Sequence, residues 1–209
     1  YFVCYRFIKM QKIKKDLQGY IGGKKSVFLF TGDKGSALLM NIIKEMEVSI
    51  VFIDTEYQFN EIMDYINSSG SKIEIINSHA SVDFTSWMSE CCYQRKTKVL
   101  KEYLDKTNAE CLIVPFIDEE RNNGIEDSYL TGISNIKILR PLSDLTERDV
   151  WIKIKEYKLP FSPLYNKGYR FVDCKCCTTH HGRKKYIEED KNGELDKETE
   201  EKLKSLGYM

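Results

Sequence analysis

An apolar run, Ser26-Val-Phe-Leu-Phe30, leads straight into Thr31-Gly-Asp-Lys-Gly-Ser36, and a helical stretch from Ala37 to Lys44 follows. A short run with no polar alternation suits a strand buried on both faces, as in a parallel sheet. Parallel neighbours need long crossovers, which helices usually supply. Glycines in the turn let the backbone approach an anion, and N–H groups at a helix start point at it. The spacing is not that of a Walker loop. Thr31, Gly32, Asp33, Lys34, Gly35 and Ser36 are therefore candidate phosphate-binding residues.

The same pattern recurs downstream. Val48 to Ile53 reads as a second strand, ending in Asp54 and Thr55. Polar residues at the carboxyl end of such a strand sit where ligands bind in open α/β sheets. Helical spacing from Tyr57 to Ser68 precedes a third strand, Lys72 to Ile76. Phe84 to Leu104 reads as a helix, Cys111 to Ile117 as a fourth strand and Ile136 to Leu139 as a fifth. Thr146 and Asp149 have the spacing of a capping box for a helix reaching Tyr157. The expected fold is α/β, an open, mostly parallel five-stranded sheet with helices on both faces. Residues 1–25 are expected to form a basic helix, with Arg6, Lys9, Lys12, Lys14 and Lys15 on a solvated face. Residues 26–178 form the α/β domain and 179–209 a charged tail.

The cysteines fall into a second pattern. Cys91 and Cys92 are adjacent, and far downstream Cys174 and Cys177 form a C-x-x-C pair with Cys176 between them. Two close pairs at long separation suit one four-thiolate centre, which selects soft metals: zinc or an iron–sulfur cluster. Adjacent cysteines rarely reach one tetrahedral ion, so the vicinal pair favours the cluster over zinc. Cys176 is expected to point away. Isolated buried cysteines are common in cores, and Cys111, within an apolar strand, reads as one. Arg95 and Lys96 lie four residues beyond Cys91 and Cys92, on shared helical faces. Cations so placed lower thiol pKa values and offset cluster charge. His180 and His181 read as solvated.

Composition narrows the class. With 209 residues the chain fits one domain, and its 32 Lys+Arg balance 32 Asp+Glu. No global field draws it to nucleic acid or an anionic membrane. No apolar run is long enough for a membrane span. Residues 1–10 carry Arg6 and Lys9 and lack a small-residue cleavage site, against a signal peptide. Seven cysteines, odd in number and clustered, fit a reducing cytoplasm better than a secreted disulfide scaffold. The sequence opens on Tyr1 rather than Met, so further residues at either end are expected.

These segments resemble a known family. Thr31 to Ser36 resembles the S-G-G-x-D-S phosphate loop of the adenine-nucleotide alpha-hydrolase superfamily, and Phe52-Ile-Asp-Thr-Glu-Tyr-Gln-Phe59 resembles its F-x-D-T-G-x-x-F segment. Cys91-Cys-Tyr-Gln-Arg-Lys96 matches the C-C-x-x-R-K motif of sulfonucleotide reductases, which act on adenylylsulfate (APS) or its 3′-phosphate (PAPS). Pro141 to Trp151 resembles P-L-x-x-W-T-x-x-D-V-W. Leu159 to Tyr169 and Cys174 to Thr178 resemble L-P-x-x-P-L-Y-x-x-G-Y and C-x-x-C-T. The resemblance implies a [4Fe–4S] cluster on Cys91, Cys92, Cys174 and Cys177. It implies an adenine nucleotide (APS, PAPS or ATP) at Thr31 to Ser36, with Asp54 and Thr55 near the ribose. Arg95, Lys96 and Arg121 become candidate charge stabilisers beside Lys34. A thioredoxin-like electron donor is the implied partner, and a homo-oligomer is left open.

The sequence also departs from that family. Gly35 stands where the superfamily loop has Asp, and Pro115 and Ile117 take the places of Gly and Arg in its G-x-R-x-x-(E/Q)-S segment. No cysteine follows Cys177, whereas the reductases carry a nucleophilic Cys in a distal E-C-G-(L/I)-H tail. An ATP-dependent, adenylating sulfur transferase acting on nucleic acid is therefore an alternative. A nucleotide- or cluster-binding relative without turnover is another.

Overall fold

The computed structural model describes residues 2–80, 88–122, 125–179 and 182–183. Its centre is a five-stranded, all-parallel sheet in the order β3-β2-β1-β4-β5. The strands are β1 (Ser26–Leu29), β2 (Ser49–Asp54), β3 (Ile73–Asn77), β4 (Cys111–Ile113) and β5 (Lys137–Leu139). β1 lies in the middle, with Val27 opposite Ser49 of β2 and Leu112 of β4.

The apolar runs form strands here because helices cover both sheet faces. Phe28, Phe30, Phe52 and Ile113 enter one buried cluster. Val27, Leu29, Val51, Ile53 and Leu112 enter the other. The expected fold is the one observed. β4 stops at Ile113 rather than Ile117, and residues from Pro115 on lead into α6 (Asp118–Asn122). Asn123 and Gly124 of the loop expected there lie outside the described residues, as do His180, His181 and residues 184–209.

Helix α1 (Phe2–Ile21) falls within the 1–25 segment expected to be helical. Met10, Leu17 and Ile21 are buried in the first cluster while Lys12 and Lys15 face solvent. The same cluster takes residues of α2 (Lys34–Ile43), α3 (Asn60–Ser68) and α8 (Glu147–Glu156), and α8 packs on α2. Thr146 and Asp149 make the expected capping box at the start of α8. The opposite face is covered by α5 (Lys98–Thr107) and α7 (Asp127–Leu130), through Leu100, Leu104, Tyr129 and Leu130.

The expected helix over 84–104 is three pieces. Residues 81–87 lie outside the described residues; α4 (Met88–Cys92) then runs into a π-turn, Tyr93–Thr97, before α5. Lys98 N–H reaches back to Tyr93 C=O, one residue beyond α-helical reach. Such turns concentrate at functional sites. Among the described residues no helix is long and apolar enough to cross a membrane.

The sheet order places β4 beside β1 after β2 and β3 have filled the other side. That reversal is the switch point of an open α/β sheet, where connections diverge and ligands bind. The loop 30–36 after β1 and the segment 114–121 after β4 meet there.

Candidate active site

The loop after β1 is held from within. Gly32 takes φ 78°, a left-handed conformation that favours glycine. Thr31 N–H donates to Ser36 Oγ at 2.9 Å, and Asp33 caps α2 by accepting from Ser36 N–H at 2.6 Å. Lys34 N–H donates to Tyr165 Oη at 2.8 Å. A Cβ on Gly35 would lie 2.3 Å from Pro115 O, so the two diverging segments touch at a position with no side chain.

Lys34 does not reach outward. It has 0% exposure, and its Nζ donates to Glu120 Oε1 at 2.9 Å and to Arg170 O at 3.2 Å, with Glu147 Oε1 at 3.6 Å. Burial opposes the Lys34 charge, but Glu120, Glu147 and Asp33 together more than offset it, so the ammonium is raised above its ordinary range. Burial and the neighbouring Asp33 push Glu120 up to about 7, against the pull of Lys34. Burial raises Asp33 too. At Lys34 and Ser36 the amides already donate within the chain, and the Lys34 ammonium pairs with Glu120.

At the end of β2, Asp54 Oδ1 accepts from Glu56 N–H at 2.8 Å. Thr55 is buried, with its Oγ1 3.1 Å from Cys174 Sγ. It belongs with the cysteines as much as with the loop.

Cys91, Cys92, Cys174 and Cys177 are all buried. The two distant segments come together: Cys92 hydrogen bonds with Cys177, and the Lys96 charge acts on Cys174 and Cys92. A turn holds the second pair, with Cys177 N–H and Thr178 N–H both donating to Cys174 O at 3.0 Å. Cys176 does not point away; it is half-buried, its Sγ 3.7 Å from Cys177 Sγ. Cys111 is buried within β4, as expected of a core residue.

Two cations back this patch. Lys96, at 1% exposure, is ion-paired to Asp173 Oδ1, donates to Ser128 Oγ at 3.3 Å and lies 4.5 Å from the Tyr129 ring centroid. Arg95 donates to Thr55 O at 3.0 Å, Glu56 Oε2 at 2.8 Å and Ala80 O at 3.0 Å, and stacks on Tyr57. Their pull on the thiols loses to burial. Cys91 is raised by burial and by Cys92, Cys174 is raised well up by burial, and Cys177 is pushed up to about 12, chiefly by its bond to Cys176. Depressed thiols were expected from sequence; the cations act in that direction, but desolvation is larger.

Arg121 stands apart, pairing with Asp118 at 2.9 Å and Glu126 at 3.3 Å. All four candidate cations thus have carboxylate partners. Glu120, Asp173 and Tyr165 were not picked out from sequence as partners. Asp173, adjoining Cys174, was the one with a visible cue.

Residues 25–180 match the phosphoadenosine phosphosulfate reductase domain. The chain belongs to that family. It is 28% identical over 166 residues to an adenosine 5′-phosphosulfate reductase of Oceanobacillus iheyensis, covering 71% of this chain and 68% of that one. It is 22% identical over 157 residues to the reductase of that name from Salinibacter ruber, covering 68% of this chain and 62% of that one. The chain thus spans about two thirds of the length of these relatives. The fold is shared with the phosphate complex of phosphoadenylyl-sulfate reductase from Candida auris (TM-score 0.64, 12% identity, 80% of this chain and 90% of that one). It is shared too with an NH3-dependent NAD synthetase from Campylobacter jejuni (TM-score 0.54, 14% identity, 80% and 79%).

The four clustered cysteines are candidate ligands for a thiolate-held centre by type. Among the described residues no three His, Cys, Asp or Glu side chains converge on one point closely enough for one metal ion. A [4Fe–4S] centre takes one thiolate on each of four irons, so its ligands surround it at a wider spacing than those of a single ion. Four buried thiols beside two buried cations meet that requirement in type and charge.

Proposed function

We propose that this protein is a sulfonucleotide reductase-like enzyme, converting APS or PAPS to sulfite and AMP or adenosine 3′,5′-bisphosphate. The observation that carries the reading is the meeting of Cys91-Cys92 with Cys174 and Cys177 against the buried Lys96, within a fold shared with that family. Cys91, Cys92, Cys174 and Cys177 would hold a [4Fe–4S] cluster. When bound, it supplies a thiolate-ligated redox centre beside the carboxyl ends of the strands.

The chain's residues supply position and charge. Lys96 is fixed by Asp173 and Ser128, so its ammonium stays beside Cys174 and Cys92. Arg95 ties the end of β2 to the turn at Ala80, which sets Thr55 against Cys174. Such preorganised cations stabilise charge that develops when a sulfate–phosphate bond breaks. In the reaction a thiolate attacks the sulfate sulfur, the S–O bond to the nucleotide breaks, and the nucleotide leaves with the bond's electron pair. An S-sulfonated cysteine results. A dithiol donor of the thioredoxin class then attacks its sulfur–sulfur bond, sulfite leaves, and the second donor thiol restores the cysteine while the donor becomes a disulfide.

Among the cysteines whose burial is described, Cys176 is the most exposed, and it lies against the Cys177 thiol. Cys111 is sealed within β4. Neither is placed as a free nucleophile. A reducing, cytoplasmic setting fits these free thiols. The test is sulfite release from APS and from PAPS with reduced thioredoxin, run on the 209 residues and on the same chain joined to a cysteine-bearing E-C-G-L-H tail. Release requiring the tail is expected. Release by the 209 residues alone would make Cys176 the nucleophile, and no release in either form would remove the reductase reading.

A further inference from the structure

We infer that Asp33 and Tyr165 close the loop after β1 by standing in for a phosphate group, and that a nucleotide must displace them to bind there. The inference rests on the nucleotide reading of that loop and adds a built-in competitor to it.

A phosphate at a helix start accepts hydrogen bonds from the first-turn amides. Here chain atoms accept them. The Asp33 carboxylate takes the Ser36 N–H at 2.6 Å, and the Tyr165 hydroxyl oxygen takes the Lys34 N–H at 2.8 Å. Asp33 brings a negative group to the positive end of the ten-residue helix α2, the end an anion would occupy. Tyr165 comes from 131 residues away, on the 3-10 segment Pro163–Lys167, so its contact is a product of the fold.

The charges around the loop point the same way. The Lys34 ammonium is turned inward to Glu120, and Arg170 Nε pairs with Glu147 Oε2 at 2.9 Å. The carboxylates of Asp33, Glu120 and Glu147 thus outnumber the two cations. The loop cannot make room by moving toward β4, because Gly35 already rests on Pro115 O. What can move are the two stand-ins: a carboxylate on a cap and a hydroxyl on a short 3-10 segment.

Two near-isosteric variants test this. Asp33→Asn keeps a capping side chain, since Asn caps as well as Asp, and removes the charge. Tyr165→Phe keeps the ring against Trp151, 4.9 Å away between centroids, and removes the hydroxyl. Binding of AMP, and separately of inorganic sulfate, is measured by calorimetry on wild type and both variants after melts confirm folding. Tyr165→Phe is expected to bind AMP about fivefold tighter or more, the scale of one competing hydrogen bond removed, and Asp33→Asn, which keeps the cap and drops the competing negative charge, is expected to bind AMP tighter as well. If wild type and variants bind AMP equally, or the variants bind more weakly, the stand-in is overturned and the nucleotide reading survives. If none of the three folded proteins binds AMP, both fall together. Should Asp33→Asn not fold, Tyr165→Phe decides alone.

Discussion

The Lys34 ammonium and the Glu120 carboxylate meet at 2.9 Å in the interior, side chains 0% and 2% exposed, on segments that follow neighbouring strands. A residue whose place in a glycine-rich turn suggests ligand binding is thus a core ion pair at the switch point of the sheet.

Lys34→Ala is therefore expected to act first on stability. Breaking one half of a buried ion pair strands the other charge, at a cost of roughly 3–5 kcal/mol. Pairing Lys34→Met with Glu120→Gln should restore most of it. Urea unfolding of the two proteins checks this. A stable Lys34→Ala protein with weakened AMP binding would return the lysine to the ligand.

Glu120 gives the protein a pH dependence of known sign. Its carboxyl rises from 4.5 to about 7 on folding, so between those values the folded chain holds the extra proton. Stability then falls as pH rises through that window, and the raised Asp33 acts in the same direction. Glu120→Gln should show a smaller loss of urea midpoint than wild type between pH 5 and 7.5. An unchanged loss would show that another group titrates.

Gly35→Ala sets a Cβ against a backbone carbonyl that has no rotamer to change. Destabilisation of roughly 1–3 kcal/mol is expected, the range for overpacking. Thermal unfolding reads it, with Gly19→Ala, whose Cβ meets nothing within 4 Å, as the control.

Iron content separates the cysteines. Protein purified without oxygen should carry about four irons per chain, as a [4Fe–4S] centre requires. Cys174→Ser should lose most of that iron, while Cys111→Ser and Cys176→Ser keep it. A colourless wild type with one zinc would contradict the assignment, as would full iron in Cys174→Ser.

The elements that sequence reveals are those whose cause is local. β1, β2 and β4 are largely apolar runs punctuated by turns, β3 and β5 are shorter mixed runs, and each is found within a few residues of its expected place. The capping box of Thr146 and Asp149 is a three-residue pattern and forms as written. The break of β4 was signalled by Pro115, which has no N–H to offer a ladder, and the extended reading ran past it. The Asp33-to-Ser36 spacing is equally an N-cap signature, but read as a phosphate cradle it hid the possibility that the aspartate fills the cradle itself. Partners such as Tyr165 for Lys34 and Asp173 for Lys96 arise only when the chain returns from far away, and no periodicity encodes them. Burial decides the thiol pKa values in the same non-local way, outweighing cations whose spacing was plain.

The π-turn at Tyr93–Thr97 fixes an angular phase. Leu100 and Leu104 anchor α5 to the sheet, so the orientation of α4 follows from how far the chain winds between them. Loss of a single residue from this turn would restore ordinary helical winding and rotate α4 by roughly 100° about the axis, one residue's share of a 3.6-residue turn. Cys92 would swing away from Cys177, and Cys91 with it, while the sheet stays untouched. One extra residue in a helix is the gear tooth that keeps two halves of a thiol centre in mesh.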